Sequence, residues 1–316
     1  MVKVDKPVLI AFCCSAALIL GGSFFFPNFL SIQYLLQQLH IASFLGLVAA
    51  GAMVVILLGQ IDLSVPWTLT AAAIASTAIA SYAKGVTAEI LAIVVGLLVG
   101  VIVGLLNGFG AAFVRVHSMI WTLAMNFVVL GACVFYTGGF QPPGEPLHVM
   151  RFLGVGRSIL NIPNTIFVWV GVSIIMIFFL RRTKYGRYIY AIGNSEKATY
   201  LSGVKTRPIL FLAFVIAGVC NAIAGMMLAG YAKQAYQAMG EPYLMPAIAA
   251  VVLGGTKIQG GSGSYIGTVA GTIFVTLIGS ILSVMQMPEA GRQVIYGVVI
   301  VTMLLTYGRQ ERVHAY

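Results

Sequence analysis

Charge is what this chain has least of. Only 8% of its 316 residues are Asp, Glu, Lys or Arg, against 60% hydrophobic, and the mean hydropathy is +0.99. A water-soluble domain carries about 25% charged residues. So little charge cannot cover a water-facing surface, and lipid is the natural solvent for the chain. Acids are the scarcest: there are eight, and Asp62 alone lies between Lys6 and Glu89. The four histidines (His40, His117, His148, His314) are scattered, so no metal cluster or acid–base pair is expected, and no cofactor or covalent chemistry. Cys13, Cys14, Cys133 and Cys220 sit in apolar runs without zinc-site or disulfide spacing. They read as small buried hydrophobes. No Gly-x-x-x-x-Gly-Lys-Ser/Thr run occurs, which excludes a Walker nucleotide site.

Long apolar runs are what the chain has in plenty. A helix needs about 20 apolar residues to cross the hydrocarbon. No charge falls between Lys6 and Asp62, which leaves room for two helices split near Pro27-Asn28. Further charge-free stretches run over 63–83, 90–114, 116–144, 158–180, 208–232, 242–256, 258–288 and 293–308. The fold class expected is therefore all-α and polytopic, about ten transmembrane helices, with residues 1–316 forming one transmembrane domain. The stretches 242–256 and 293–308 are short for a span. Val8 to Phe26 resembles a secretory signal. It ends without an Ala-x-Ala-like site, and Cys13 follows Phe12 rather than a small residue, so it is expected to remain as a first helix.

The net charge of +10 would point to nucleic acid in a soluble protein. Here the basic residues lie in short gaps between spans, where they set orientation, and no nucleic-acid partner is expected. With the N-terminus inside, Lys84, Arg151, Arg157, Lys233 and Arg292 fall outside and the other 13 of the 18 Lys and Arg fall inside. Both termini are then cytoplasmic. The outer segment from Thr137 to Pro163 reads as a structured turn region suited to an external contact. The inner segment 181–208 is the longest cytoplasmic piece.

Glycines recur every four residues at Gly96, Gly100, Gly104 and Gly108 in the fourth span, and at Gly263, Gly267 and Gly271 in the ninth. Small residues at that spacing let helix backbones approach closely. Spans four and nine correspond if the chain is a five-plus-five duplication, and because five is odd the halves would be inverted in the membrane.

Three segments carry the functional reading. The first is "GQIDLSVP", with Gln60, Asp62, Ser64 and Pro66. A charge at bilayer depth costs ~2.5–3.5 kcal/mol and persists where it meets a partner or a water-filled path. Asp62 and Ser64 can equally cap a helix that starts near Pro66, and both readings stand. The second is "GRYIYAIGNSEKATYLSGV". Asn194 or Ser195 suits an N-cap and Gly203 a helix stop. The short helix between them contains Glu196 and carries Ala198 and Leu201 on one face. It is either a docking element for another protein or a solvated helix at the lipid headgroups. The third is "AIAAVVLGGTKIQGGSGSYIGT", whose glycines permit a tight inner turn.

Together these segments resemble the ribose-type permeases of ABC importers, which are related to the branched-chain amino acid permeases. Their order and spacing extend the resemblance over nearly the whole chain. The chain departs from the family at Pro66, where glycine is usual, and at Gly59-Gln60. Glu196 to Gly203 is one residue longer than the wider importer loop. The resemblance implies a permease subunit in the bacterial inner membrane that does no catalysis itself. A periplasmic binding protein would deliver the solute, a separate ABC ATPase would couple through residues 194–203, and a second permease copy, identical or different, would complete the path among membrane lipids. Few charges line the spans, which favours a sugar or sugar-like neutral solute. The alternative is an ion-coupled secondary transporter of a small polar solute, which would need a relay of buried acids; Asp62 stands alone.

Overall fold

A computed structural model describes residues 6–25, 27–298 and 301–302. Twelve α-helices are named here in chain order: α1 Lys6–Phe25, α2 Ile32–Leu57, α3 Val65–Ala78, α4 Val86–Phe109, α5 Ser118–Thr137, α6 His148–Gly154, α7 Asn164–Arg182, α8 Lys184–Asn194, α9 Glu196–Leu201, α10 Thr206–Ala232, α11 Leu244–Leu253 and α12 Tyr265–Val284. A further helical stretch covers 289–298. No strand occurs among the described residues. Lys3, Arg309, Arg312, both chain termini and residues 299–300 and 303–308 of the stretch 293–308 lie outside them.

Six helices are long and apolar enough to cross a bilayer among the described residues: α2, α4 with its extension to Val114, α5, α7, α10 and α12. Their apolar windows differ sharply in burial. The α2 window is 89% buried and that of α10 67%, whereas α5 is only 22% buried. A helix that is apolar all round belongs in a core or in lipid. Here α2 and α10 form the core, and the large apolar side chains of α4, α5 and α7 face outward.

The central pair shares one architecture. α2 (26 residues) and α10 (27 residues) are each about 40 Å long at ~1.5 Å per residue. Each is followed by an irregular segment and then a short helix, α3 with 14 residues or α11 with 10. α4 packs on α10 and α3, and α12 packs on α2 and α11. Exchanging α2 with α10, α3 with α11 and α4 with α12 maps each of these contacts onto another. The outer helices break the pattern, since α1 packs along α12 while α7 packs along α2.

Several elements differ from the expectations. Stretch 63–83 holds a short helix, because the chain from Leu58 to Ser64 stays irregular and is satisfied by side chains of α5. The outer segment contains a helix of its own, α6, packed on α10. The loop 181–208 holds two helices rather than one. Gly263 lies before α12 and packs on Thr256.

Candidate functional site

The site begins where α2 ends. After Leu57 the chain turns at Gly59 (φ 71°) and continues as a strap into α3. Three polar side chains of α5, spaced four residues apart, hold it. Ile61 N–H donates to Ser118 Oγ (3.2 Å), Leu63 N–H to Thr122 Oγ1 (2.9 Å) and Trp67 N–H to Asn126 Oδ1 (3.4 Å). The spacing has a physical reason. Two residues of extended chain advance about 6.6 Å, and four residues of helix about 6 Å, so Ile61 and Leu63 meet successive turns of α5; the step from Leu63 to Trp67 takes four residues because the chain has entered α3. Backbone groups left unpaired at membrane depth cost several kcal/mol each; α5 supplies partners.

Asp62 is buried within the strap. Its Oδ1 accepts from Ser64 N–H (2.9 Å) and Ser64 Oγ (2.7 Å). Ser64 Oγ in turn accepts from Asn107 Nδ2 of α4 (2.7 Å), and Thr68 Oγ1 donates to the Ser64 carbonyl (2.8 Å). The ion pairs among the described residues, Glu145–Arg151 and Glu289–Arg292, do not include Asp62. Ser64 precedes α3 without a side-chain cap contact. Asp62 therefore shapes the turn into α3, and the capping contact to its first turn comes from Asn126. Pro66 occupies that first turn, where its missing N–H is harmless. Its carbonyl accepts from Thr70 Oγ1 (2.7 Å), and Gly240 packs against it.

The other two segments meet the start of the strap. Thr183 Oγ1 accepts from Gly186 N–H (3.1 Å) at the start of α8, and Ser195 Oγ accepts from Ala198 N–H (3.2 Å) at the start of α9. Gly203 follows α9 with φ 84°, a left-handed stop. Asn194 faces the other way: its amide donates to the carbonyls of Tyr190 (3.1 Å) and Gly261 (3.3 Å). Tyr190 OH donates to Gly263 O (3.0 Å), and Gly261 N–H donates to Leu57 O (2.9 Å). A Cβ on Gly193 would collide with Leu57 O and Gly261 N. The three segments thus form one backbone-to-backbone junction at the end of α2.

α9 stands on this junction. Thr199 is buried, Glu196 accepts from Thr206 Oγ1 (3.0 Å), and Ala198, Tyr200 and Leu201 are exposed, Leu201 to 76%. Beside it opens a groove of about 560 Å³, lined by Gln60, Arg115, His117, Glu196, Lys197 and Tyr200. A π-helical turn, Gly110–Val114, delivers Arg115 to the groove in a left-handed conformation (φ 61°).

The glycine stripes lie at helix contacts. Cβ atoms on Gly100, Gly104 and Gly108 would meet the carbonyls of Gly218, Phe214 and Phe211 on α10, and one on Gly96 would meet Met226. On α12, Gly271 abuts Ala250 O and Gly267 abuts Gly254, both toward α11. Sequence reasoning missed Ser118, Thr122, Asn126 and Asn107. Their signal is polar residues four apart on an otherwise apolar helix, and one amide inside a glycine stripe.

Among the described residues six helices are long and apolar enough to cross a membrane and no strand occurs, which makes this a multi-pass membrane protein. Its residues 34–304 match the family model described as branched-chain amino acid transport system / permease component, and the chain belongs to that family. It is similar to the ribose import permease protein of Bacillus subtilis, 36% identical over 280 residues that cover 88% of this chain and 86% of that protein. The ribose import permease protein of Escherichia coli K12 is 30% identical over 290 residues, 90% of this chain and 88% of that protein. The autoinducer 2 import system permease protein of Salmonella paratyphi B is 29% identical over 291 residues, 90% of this chain and 83% of that protein. No solved structure matches the chain.

Proposed function

We propose that this chain is the membrane-spanning subunit of an ATP-driven ABC importer that carries a sugar or sugar-like solute across the inner membrane. The observation that carries the reading is the α9 junction. An exposed Tyr–Leu face sits on a capped helix whose base is joined, backbone to backbone, to the end of α2 and so to the strap leading into α3. A push on α9 has a stiff route into the bundle. The partners proposed are a separate ABC ATPase at α9 and its groove, a periplasmic binding protein at the opposite end, and a second permease copy. The relatives named for ribose and autoinducer 2 import support a hydroxylated solute.

The finer architecture is part of the same proposal. Ten spans with both termini cytoplasmic form two inverted halves, supported by the exchange that relates α2–α4 to α10–α12. Asp62 acts as a positioning residue that holds Ser64 and, through it, Asn107.

The test is reconstitution in proteoliposomes with the cognate ATPase and binding protein. Uptake of the solute should require ATP, and Glu196→Lys and Gly203→Val should lower stimulated ATPase activity and uptake together. Uptake driven by a proton or sodium gradient without ATP would sink the reading in favour of a secondary transporter. Residue 145, changed to cysteine, should label with an impermeant reagent from the periplasmic side; cytoplasmic labelling would reverse the orientation.

A further inference from the structure

Away from the α9 end, the structure holds a second polar feature that the coupling argument does not use. Between α2, α11, α12 and the stretch 289–298 lies a cavity of about 280 Å³. It sits near the start of α2 and the end of α12, which is the end opposite α9. One face of α12 contributes Thr276, Ser280 and Ser283, spaced so that they stack along the helix. Ser280 Oγ is within 2.9 Å of Tyr34 OH. Glu289 and Arg292 close one side as an ion pair at 2.9 Å.

Gln38 supplies the observation that points to a ligand. It is only 7% exposed, it lines the cavity, and its amide oxygen has no hydrogen-bond partner among the described residues. The Nε atom of Arg292, on the same lining, is likewise buried and unpartnered. A buried polar atom left without a partner costs about 1–3 kcal/mol, so a cavity that gathers two of them calls for an occupant with hydrogen-bonding groups. The lining also fixes the occupant's character. Its one acid and one cation neutralise each other, its other polar groups are hydroxyls and an amide, and Leu45, Pro242, Pro246 and Val275 add apolar surface. Ions are disfavoured by that balance. A molecule with hydroxyl edges and an apolar C–H face matches it, and the volume lies at the small end of ligand pockets, about 300 Å³ and upward.

We propose that this cavity is a binding site, within a single protomer, for a neutral hydroxylated molecule of monosaccharide size. In the importer reading, on which only the choice of probe rests, it is a waiting site near the periplasmic entrance. Gln38 accepts and Arg292 donates at the hydroxyl edge, the α12 hydroxyls bind along it, and the apolar part of the lining covers the other face.

The test uses the full chain in nanodiscs, with the exposed Cys13 and Cys14 changed to serine and Ile41→Cys, an exposed apolar residue of the lining, as a reporter. The rate of labelling by an impermeant thiol reagent is measured with D-ribose, D-glucose or ribitol. At about twice the dissociation constant, occupancy alone slows labelling about threefold. That slowing by at least one probe, together with its loss in Gln38→Leu and in Thr276→Val, is the expected result. Two variants are used so that misfolding of one, read by gel filtration, leaves the other to decide. No slowing by any probe overturns the site. So does equal slowing in both variants, which would place the ligand elsewhere, and so does slowing that appears only when phosphatidylglycerol is added, which would make the occupant a lipid headgroup. ATP-dependent uptake is measured on the same protein with its partners. Uptake without protection removes this site and leaves the importer; protection without ATP-dependent uptake keeps the site and removes the importer.

Discussion

The two ends of the bundle are joined by different materials. At the α9 end, backbone meets backbone: Gly261 N–H on Leu57 O, Gly193 against both, and Gly59 against Gln259. At the opposite end α6 also lies close against the α10 backbone at Gly154 and Gly230, but the hydrogen bonds that join the segments come from side chains. Gln141 Nε2 donates to Gln234 Oε1 (2.6 Å), Gln237 Nε2 to Phe140 O (3.0 Å), Val149 N–H to Glu89 Oε2 (2.7 Å), and Arg151 pairs with Glu145. A backbone seam has no rotamers and transmits displacement as it is received. A side-chain seam can change rotamer when a partner docks. Stiffness is thus concentrated where the ATPase is proposed to push, and compliance where the binding protein is proposed to land.

The largest effect expected from breaking this contrast is at the glycine seam. In Gly193→Val the new side chain would occupy the space of Leu57 O and Gly261 N. In Gly261→Ala a Cβ would meet the Asn194 side chain from a backbone at φ 74°. Each should cost enough, about 4 kcal/mol or more, to abolish a monodisperse peak in detergent gel filtration. Gly100→Leu and Gly271→Leu should do the same by forcing α4 from α10 and α12 from α11. Gly131→Ala on α5, with nothing within 4 Å of a new Cβ, is the control and should be neutral or slightly stabilising. A well-behaved Gly193→Val protein would refute the rigid seam.

The strap comes next. Ser118→Ala, Thr122→Val and Asn126→Ala each leave one part-buried amide of the strap or of α3 without its partner, at about 1 kcal/mol or somewhat more apiece. Thermal unfolding should shift down for each. The triple variant should also lose solute-stimulated ATPase activity, because the strap is then no longer held between α2 and α3. Parent-like stimulation in the triple variant would show that α9 reaches the bundle by another route.

How much of this was legible beforehand depends on the range of the interaction. Ser195 at the start of α9 and Gly203 after it were readable because a cap and a left-handed stop are made within a few residues. The long apolar helices were readable because lipid rewards length and apolarity directly. α3 was not. A charge-free stretch gives the distance between charges, not the length of helix inside it. The strap before α3 stays irregular only because Ser118, Thr122 and Asn126, more than fifty residues later, complete its hydrogen bonds. α8 was hidden because its basic, aromatic composition reads as loop until Tyr190 and Asn194 find the glycine turn at 261–263. Asp62 stood out in the sequence as the one acid between Lys6 and Glu89. Its partners, Ser64 and then Asn107 on α4, separate the cap from the turn only in three dimensions.

Asp62→Asn should have a smaller effect than any strap variant. Asparagine keeps an oxygen for Ser64 N–H and Oγ, so the turn survives. The loss is the difference between a charged and a neutral acceptor, about 1 kcal/mol. Assembly and uptake should stay close to the parent. A fall of about tenfold or more in uptake, about 1.4 kcal/mol on the barrier, with assembly intact, would assign the charge to gating instead.

The smallest effect belongs to the compliant end. Gln237→Ala removes hydrogen bonds to Phe140 O and Thr137 Oγ1 (both 3.0 Å), at the turn that follows α5. The first of these contacts is exposed, so water replaces what the side chain gave, and stability should change by about 0.5 kcal/mol or less. Function should report the change where stability does not. A looser 138–147 turn presents a less ordered surface, so more binding protein should be needed for half-maximal ATPase stimulation, while the maximum stays the same. The measurement is a titration of binding protein against the reconstituted complex, parent and variant side by side. A lowered maximum with an unchanged midpoint would mean that this end transmits force rather than receives a partner, and the contrast between the two ends would fail.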